Sequence, residues 1–529
     1  MTRRIARVVW SQANWLSRFG VIIAGAIAVF GFAPFHIWGV TLLCLTLLFI
    51  RLVGVSGWER PGRAGFWTGL LFGLGWFSAS CFWIASAFIE RGPEFIPMIP
   101  PLVGGLAVVL SLFWGAAGAV VARQTSIWRQ ALIFVAAFTL AELARGHVLS
   151  GFPWNMAAYA FEPGGAISQS ASLLGVYGLT MLLYGLAALL GCAVVLRDWR
   201  PAVGLVTVLA GLLGTGSYRL AHATLDIVPG VVLRLVAVPF RQSEKINPAT
   251  SLDIVNGFLA SSIEPGIEDV THLVWPEGAV NGLATEDRAL LEYMGEILTS
   301  RTTNPPVWLM NSLRRETSPD REGVPKVRYY NSAVAITFDT LGNPAIAGSN
   351  DKKKLVPFGE FIPGGEWVEQ LGAQLVSTAI ASISPAREKT VSQFPGLPPI
   401  SAQICYEVIF PGLTPNASET LPAPQAILNQ SNDAWFGSTV GPAQHAAIAR
   451  YRAIEEGLPL IRSAANGVSG VFDSYGRAER VLDGKRVGHL DTVLPVSLGQ
   501  RVEMRRVNAV LALLNLGLIL VSVVRARRF

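Results

Sequence analysis

Eight apolar stretches, each close to the roughly 20 residues a helix needs to cross a bilayer, constrain this chain more than anything else in it. They lie at about 17–34, 38–55, 65–89, 97–122, 128–149, 167–196, 202–221 and 507–524. Between the seventh and the eighth runs a long region of ordinary polarity with many charges and Pro-Gly turns. The pattern predicts a membrane bundle of seven spans over 1–221, a globular domain over 228–498, and an eighth span with a short tail over 505–529. With 529 residues, 51% of them hydrophobic, the chain is too long for one core and too apolar for an ordinary soluble protein.

The formal charge of +6 does not make this a nucleic-acid-binding protein, because the arginines gather beside apolar segments instead of forming one basic face. They read as topology signals. Arg3, Arg4, Arg7 and Arg18 precede or open the first span; Arg51, Arg60 and Arg63 follow the second, Arg123 and Arg129 the fourth, Arg197 and Arg200 the sixth, and Arg525, Arg527 and Arg528 close the chain. Alternate connections are poorer in arginine. Both termini are therefore expected in the cytoplasm, with the globular domain across the membrane, the periplasm of a bacterium with two membranes. The first apolar stretch runs on to Pro34-Phe35 without a small-residue cleavage site, so it is expected to remain as a span.

Within the spans, Gly115-Ala116-Ala117-Gly118 suits close helix contact. Glu142 and Arg145, three apart on one helix face, are either a functional pair inside the membrane or charges snorkelling to its surface. The Ser150-Gly151-Phe152-Pro153-Trp154-Asn155 connection is expected to anchor at the interface, with a border on a lipid entrance as the alternative.

Cys44, Cys81 and Cys192 fall in apolar spans and read as small buried hydrophobes. Cys405 stands alone in the polar region, at the end of the strand-like run Pro399 to Glu407. Further strands are predicted at Val232–Val238, His272–Trp275, Val307–Met310, Ala333–Phe338, Ile400–Cys405 and Ala426–Asn429. One helix, capped by Thr285, presents Leu290, Leu291, Met294, Ile297 and Leu298 on one face. Another, over about 442–456, turns Ile448, Tyr451 and Ile454 inward and stops at Gly457. Alternating strands and helices predict an α/β sheet covered by helices.

A thiol of ordinary pKa, about 8.5, needs a base or a positive field to act as a nucleophile near neutrality. Glu277, in Trp275-Pro276-Glu277-Gly278, supplies a candidate base. A lysine of the run Lys352-Lys353-Lys354 supplies a cation that favours the thiolate and steadies an oxyanion, and spacing alone does not choose among the three. Glu360 is a second carboxylate, able to orient the lysine or the thiol, or a plain loop charge. Tyr406 and Glu407 either shape the oxyanion pocket and dock an amine or merely end a strand. The segment from Asn429 to Gly437 is dense in hydrogen-bonding groups and suits a pocket wall, with Asn432, Trp435 and Phe436 as substrate-binding candidates.

Taken together, Trp275-Pro276-Glu277, Lys352 ahead of Leu355-Val356-Pro357-Phe358-Gly359-Glu360-Phe361, Ile404-Cys405-Tyr406-Glu407 and Ser431-Asn432-Asp433-Ala434-Trp435-Phe436-Gly437 resemble the bacterial apolipoprotein N-acyltransferases of the nitrilase, or carbon-nitrogen hydrolase, superfamily. The likeness extends to Gly441-Pro442, Gln444-His445, the Arg450 to Glu455 helix, the eight-span layout and Ser150 to Trp154. It implies a nitrilase-like αββα sandwich on the periplasmic face of an inner-membrane protein. Its triad would be Glu277 as base, Lys352 as cation and Cys405 as nucleophile, with Glu360, Tyr406 and Glu407 in support. It further implies a phospholipid that gives its sn-1 acyl chain to Cys405 and a diacylated apolipoprotein whose α-amine accepts it. Neither cofactor nor metal is implied, and a monomer is expected. The stretch Trp367 to Val376 reads either as a partly apolar lid dipping towards lipid or as a core helix. Where the family commonly carries a tryptophan after its first strand, this chain has Ile246.

Two other functions fit parts of the pattern. A membrane-anchored amidase would use the same triad with water as acceptor, but needs only one anchor. A transporter with a degenerate outer domain would show more ionisable or broken-helix signatures in the membrane than Glu142 and Arg145.

Overall fold

A computed structural model describes residues 15–223, 226–319, 325–361, 383–388, 390–418, 421–499 and 502–526. The proposed lid, Trp367 to Val376, and the side chain of Ile246 lie outside the described residues. The chain divides into two compact units. One comprises Met1–Ala223, Phe436–Glu455 and Val502–Phe529, and the other Thr224–Trp435 and Glu456–Arg501.

The first unit is helical. Among the described residues, six helices are long and apolar enough to cross a membrane: Trp38–Val55, Pro93–Ala122, Ile127–His147, Ile167–Leu196, Arg200–Ala221 and Met504–Ser522. A seventh span results if Pro61–Cys81 and Ile84–Arg91, bent by 47°, are counted together, and Leu16–Gly31 is a shorter apolar helix. The chain is thus a multi-pass membrane protein. Glycines set the closest approaches: a Cβ on Gly65 would fall 2.3 Å from the Gly118 carbonyl oxygen, and one on Gly69 2.1 Å from that of Trp114. The small-residue stretch around Gly118 therefore lets two helix backbones touch, as its composition predicts.

Glu142 and Arg145 do not snorkel. Both side chains are fully buried and paired; Trp114 Nε1 donates to Glu142 Oε1 at 2.7 Å, and Arg145 donates to the carbonyls of Phe152 at 2.7 Å and Trp154 at 2.8 Å. The connection at 150–155 is accordingly folded inward. Trp154 is only 1% exposed, and its indole donates to Gln444 Oε1 at 2.9 Å, so the expected interfacial anchor is instead a packed loop held by the arginine.

The helix Gly441–Glu456 belongs to this unit, although sequence order places it inside 228–498. Its polar atoms explain why. Tyr451 Oη donates to the carbonyls of Ala158 at 3.0 Å and Phe161 at 2.8 Å. Glu455 Oε1 accepts from the backbone N–H of Val176 at 2.7 Å. That N–H follows Gly175, whose φ of +63° interrupts the helix Ala171–Leu196, and a buried amide without a carbonyl partner needs such an acceptor. The helix ends before Gly457, whose φ of +63° is the left-handed stop the sequence predicts.

The second unit stacks a helical layer and two sheets. The first sheet has the order β11-β1-β2-β3-β4-β5, from β1 (Ile227–Ala237), β2 (His272–Val274), β3 (Val307–Pro319), β4 (Pro325–Phe338), β5 (Pro344–Asp351) and β11 (Gly488–Pro495). The second has the order β10-β9-β8-β7-β6, from β6 (Ile400–Ala402), β7 (Ala426–Asn432), β8 (Leu460–Ala465), β9 (Ser469–Phe472) and β10 (Val481–Leu482). The parallel strands β1-β2-β3 form the centre of the first sheet, with antiparallel strands on both sides; in the second, the parallel strands β8-β7-β6 run to one edge and antiparallel β9 and β10 form the other.

Alternation along each strand builds two cores at once. Leu233, Leu235, Val274, Leu309, Ala333 and Ala335 face the second sheet and meet Ile400, Ala402, Leu428 and Ile461. Their neighbours Val236, Leu273, Trp275, Trp308, Met310 and Ile336 face outward, onto Phe258 of the helix Pro248–Ser262 and onto Met294 and Leu298 of Arg288–Thr299. Strands buried on both faces read as unbroken apolar runs, which is how they appear in the sequence. The helix Arg288–Thr299 is capped by Asp287, whose side chain accepts from Leu290 N at 3.1 Å, and not by Thr285, which sits in the preceding turn.

Candidate active site

The ends of β2, β5, β6 and β7 bring together the residues singled out by their chemistry. Cys405 follows β6 and opens the short turn Cys405–Ile409 with φ of +47°. An L-residue pays on the order of 1–2 kcal/mol for that conformation, so the turn holds the sulfur in place at the expense of backbone comfort. The strand itself stops at Ala402, three residues before the cysteine.

Glu277 lies two residues after Trp275 at the end of β2. Its Oε1 accepts from Asn331 Nδ2 at 2.8 Å and its Oε2 from the backbone N–H of Asn432 at 3.0 Å. Gln430 fixes the segment from behind, donating to the Trp275 carbonyl at 2.8 Å and to that of Leu309 at 3.2 Å. Lys352, next after β5, is 1% exposed; its Nζ lies 2.8 Å from Glu360 Oε1 and 3.8 Å from Glu277 Oε1. Lys353 and Lys354 are half-buried and point elsewhere, Lys354 stacking its ammonium 5.0 Å from the ring centroid of Phe410. Position thus separates three lysines that spacing does not.

Glu360 is a brace. Its Oε1 takes the lysine and, at 3.2 Å, Asn331 Nδ2, while its Oε2 accepts from Val356 N at 2.8 Å. Glu407, fully buried, ties two loops together: Oε1 accepts from the backbone N–H groups of Lys353 at 2.8 Å and Lys354 at 3.1 Å, and Oε2 accepts from Ile404 N at 2.9 Å. One carboxylate therefore joins the lysine loop to the cysteine turn. Tyr406 is half-buried, its ring edge-on to Phe410 at 5.1 Å.

Electrostatics assign the protons. Burial disfavours the charged Lys352, but Glu360, Glu277 and Cys405 outweigh it and hold the ammonium well above the ordinary lysine range. That group stays charged and can only donate. The Cys405 thiol is pushed up, by burial first and then by Glu277 and Asp433, with Lys352 and Ser431 pulling only partly the other way. The lysine thus does not produce a resting thiolate, contrary to what its charge alone suggests. A neutral thiol next to a carboxylate has an acceptor for its proton in the same cluster.

Asn432 belongs to the same wall: its Oδ1 accepts from Gln242 Nε2 at 2.9 Å, and its backbone positions Glu277. Trp435 lies in the turn Asp433–Phe436. Phe436 is counted with the helical unit, where its ring packs on Trp83 at 4.5 Å and on His445 at 5.5 Å.

Comparison with known proteins decides the family. Residues 24–189 match the family model described as Apolipoprotein N-acyltransferase N-terminal domain, and residues 270–490 match that described as Carbon-nitrogen hydrolase. The apolipoprotein N-acyltransferase of Bradyrhizobium diazoefficiens is 34% identical over 99% of this chain and 98% of its own length. Those of Rhodopseudomonas palustris and Caulobacter vibrioides are 32% and 33% identical, over 95% and 89% of this chain and 94% and 87% of their own lengths.

The chain belongs to the apolipoprotein N-acyltransferase family.

It is accordingly an acyltransferase of the carbon-nitrogen hydrolase superfamily. Within this family member the structure adds groups that the sequence reading did not single out. Asn331 bridges the two carboxylates, Glu277 and Glu360. Ser431 Oγ lies 3.5 Å from Cys405 Sγ and 2.7 Å from Asp433 Oδ1, and Asp433 pairs with Arg462 at 2.7 Å, both side chains fully buried. Lys245 approaches Gly278 so closely that a Cβ there would lie 2.9 Å from its Nζ. Ser431 lies in the polar segment from Asn429 to Gly437 already read as a pocket wall, and Asn331 is the polar residue that opens the buried half of β4, a signal that alternation could have flagged. Lys245 and Arg462 carry no such signal.

Proposed function

We propose that the protein transfers the sn-1 acyl chain of a phospholipid, through a thioester on Cys405, to the α-amine of the N-terminal diacylglyceryl-cysteine of an apolipoprotein. The observation that carries this reading is that Glu277 and Lys352 lie 3.8 Å apart and both act electrostatically on the half-buried thiol of Cys405, which a strained turn holds in place.

In the first half-reaction Cys405 Sγ attacks the ester carbonyl while its proton passes to Glu277. Lys352 donates to the oxygen that gains the electron pair. The tetrahedral adduct collapses, the C–O bond to the glycerol breaks, and Glu277 returns the proton to the departing alkoxide, releasing lysophospholipid. In the second half, the acceptor amine attacks the thioester and gives a proton to Glu277; the C–S bond breaks, and the thiolate recovers that proton. Splitting the transfer lets two lipid substrates use one site in turn, which predicts ping-pong kinetics.

Glu360 positions Lys352, Glu407 fixes the lysine loop against the cysteine turn with Tyr406 in support, and Asn432, Trp435 and Phe436 contact substrate. The reading retains eight spans, an αββα catalytic sandwich on the periplasmic face of the inner membrane, cytoplasmic termini and a monomer. It also keeps 1–221, 228–498 and 505–529 as the segments in chain order, with the helix Gly441–Glu456 of the middle segment built into the helical unit.

The test is intact-mass measurement of the purified protein after exposure to phospholipid. One added acyl group, removed by hydroxylamine and absent from Cys405→Ala, is expected. Subsequent addition of a diacylated lipopeptide should clear the adduct and yield the N-acyl amide. Release of free fatty acid with no amide would assign hydrolysis instead.

A further inference from the structure

Where the helix Trp38–Val55 gives way to Pro61–Cys81, the helical unit encloses a cavity of about 810 Å³ whose charges are unbalanced. Arg18, Arg51, Arg60 and Arg63 line it, and among the described residues Glu59 is its one lining carboxylate. Arg18, Arg60 and Arg63 make no ion pair among the described residues. Arg51 is 7% exposed, with its guanidinium 5.5 Å from the ring centroid of Trp58, so its charge is not simply dispersed into water.

Topology alone requires arginines near this end of the spans, but it does not require four of them around one volume. Gathering them carries a repulsion that a bound anion would relieve. Guanidinium forks match the oxygens of a phosphate better than those of a single small anion. The remaining wall, which includes Val21 and Leu71, is apolar and lies on helices with apolar outer faces. A ligand that suits both surfaces has an anionic phosphate at one end and hydrocarbon at the other, and the volume falls within the range of organic-ligand pockets, about 300–1,000 Å³.

We propose that this cavity binds the headgroup of an anionic phospholipid. On the charge reading of topology it faces the cytoplasmic leaflet. None of its residues belongs to the unit that carries Cys405, so it is a site for a lipid that is retained and not consumed.

The experiment is native mass spectrometry of the full chain, purified in detergent and titrated separately with phosphatidylglycerol and phosphatidylethanolamine. The wild type is expected to retain one phosphatidylglycerol at least about tenfold more tightly than phosphatidylethanolamine. Arg60→Gln with Arg63→Gln, both at exposed positions, should weaken that binding about 30-fold at low salt, at roughly fivefold per arginine. Arg200→Gln, at the exposed start of another helix, should leave it unchanged. Equal retention of the two lipids, an unaffected double variant, or an equal loss in Arg200→Gln would overturn the assignment. So would displacement of the lipid by millimolar inorganic phosphate, which would identify a free-anion site. Acylation of Cys405 is read in parallel and is expected to persist in the double variant.

Discussion

Each unit buries charge, and the two clusters are built on opposite principles. Glu142 and Arg145 are one anion and one cation, with their remaining hydrogen bonds spent on an indole and on two backbone carbonyls. Around Lys352 one cation meets two carboxylates and a thiol. The balanced pair holds a loop, through the Arg145 bonds to the carbonyls of Phe152 and Trp154. On the proposed mechanism the unbalanced cluster divides labour between Glu277 as base and Lys352 as electrostatic donor. On that reading buried charge by itself does not mark function; a surplus of one sign facing a nucleophile does.

The largest effects should come from breaking that surplus. Glu277→Gln keeps the acceptor oxygen that Asn331 uses but removes the base, and single-turnover acylation of Cys405 is expected to slow about 10²–10⁴-fold. Lys352→Met should cost about 10²–10³-fold through loss of the oxyanion donor. Lys352→Arg should not restore it, because a planar fork cannot occupy a fully buried slot shaped around one ammonium. A rate within threefold of wild type for Glu277→Gln would place the base elsewhere.

The helical pair should respond in stability and not in chemistry. Arg145→Met leaves Glu142 buried and uncompensated, a loss of about 3–5 kcal/mol, measured by thermal unfolding in detergent. The double variant with Glu142→Gln should recover part of that loss, while acylation per folded molecule stays near wild type. Unchanged melting with lost acylation would mean that this pair too takes part in the reaction, and the contrast would fail.

Between these extremes lies Glu407, whose carboxylate accepts three backbone N–H groups from two loops. Glu407→Gln cannot accept at both ends, so kcat should fall about tenfold with KM for phospholipid little changed. A rise in KM alone would make Glu407 a substrate contact instead.

Glu277 and Cys405 could be singled out from sequence because each follows an apolar run, where a strand delivers its next residues to a sheet edge, whereas Lys352 follows no such run. Much else was not. Strands β5 and β8 to β11 lack a clean apolar alternation; β5, Pro344–Asp351, is largely exposed along its length and passes for loop. The choice among three adjacent lysines needed the register that places Lys352 N against the Asn331 carbonyl at 2.7 Å. The loop-holding role of Arg145 was illegible because, besides Glu142, its partners are carbonyl oxygens, which no side-chain pattern records. Helix 441–456 has the expected length, inward face and stop, yet its unit is set by hydrogen bonds to residues nearly 300 positions earlier.

The smallest effect tests the protonation state on which the contrast rests. Since burial, Glu277 and Asp433 push the Cys405 thiol up, the thiolate fraction at neutral pH lies below that of a free cysteine. Alkylation by a small iodoacetamide in the absence of lipid should therefore keep rising, about tenfold per pH unit, past the pH at which a thiol of ordinary pKa, about 8.5, levels off. Lys352 opposes the shift, so Lys352→Met should slow alkylation further at every pH, by several-fold. If the wild type instead plateaued below pH 8, the resting nucleophile would be a thiolate. Glu277 would then have no proton to take in the first half-reaction, and Lys352 would be the group that activates the sulfur.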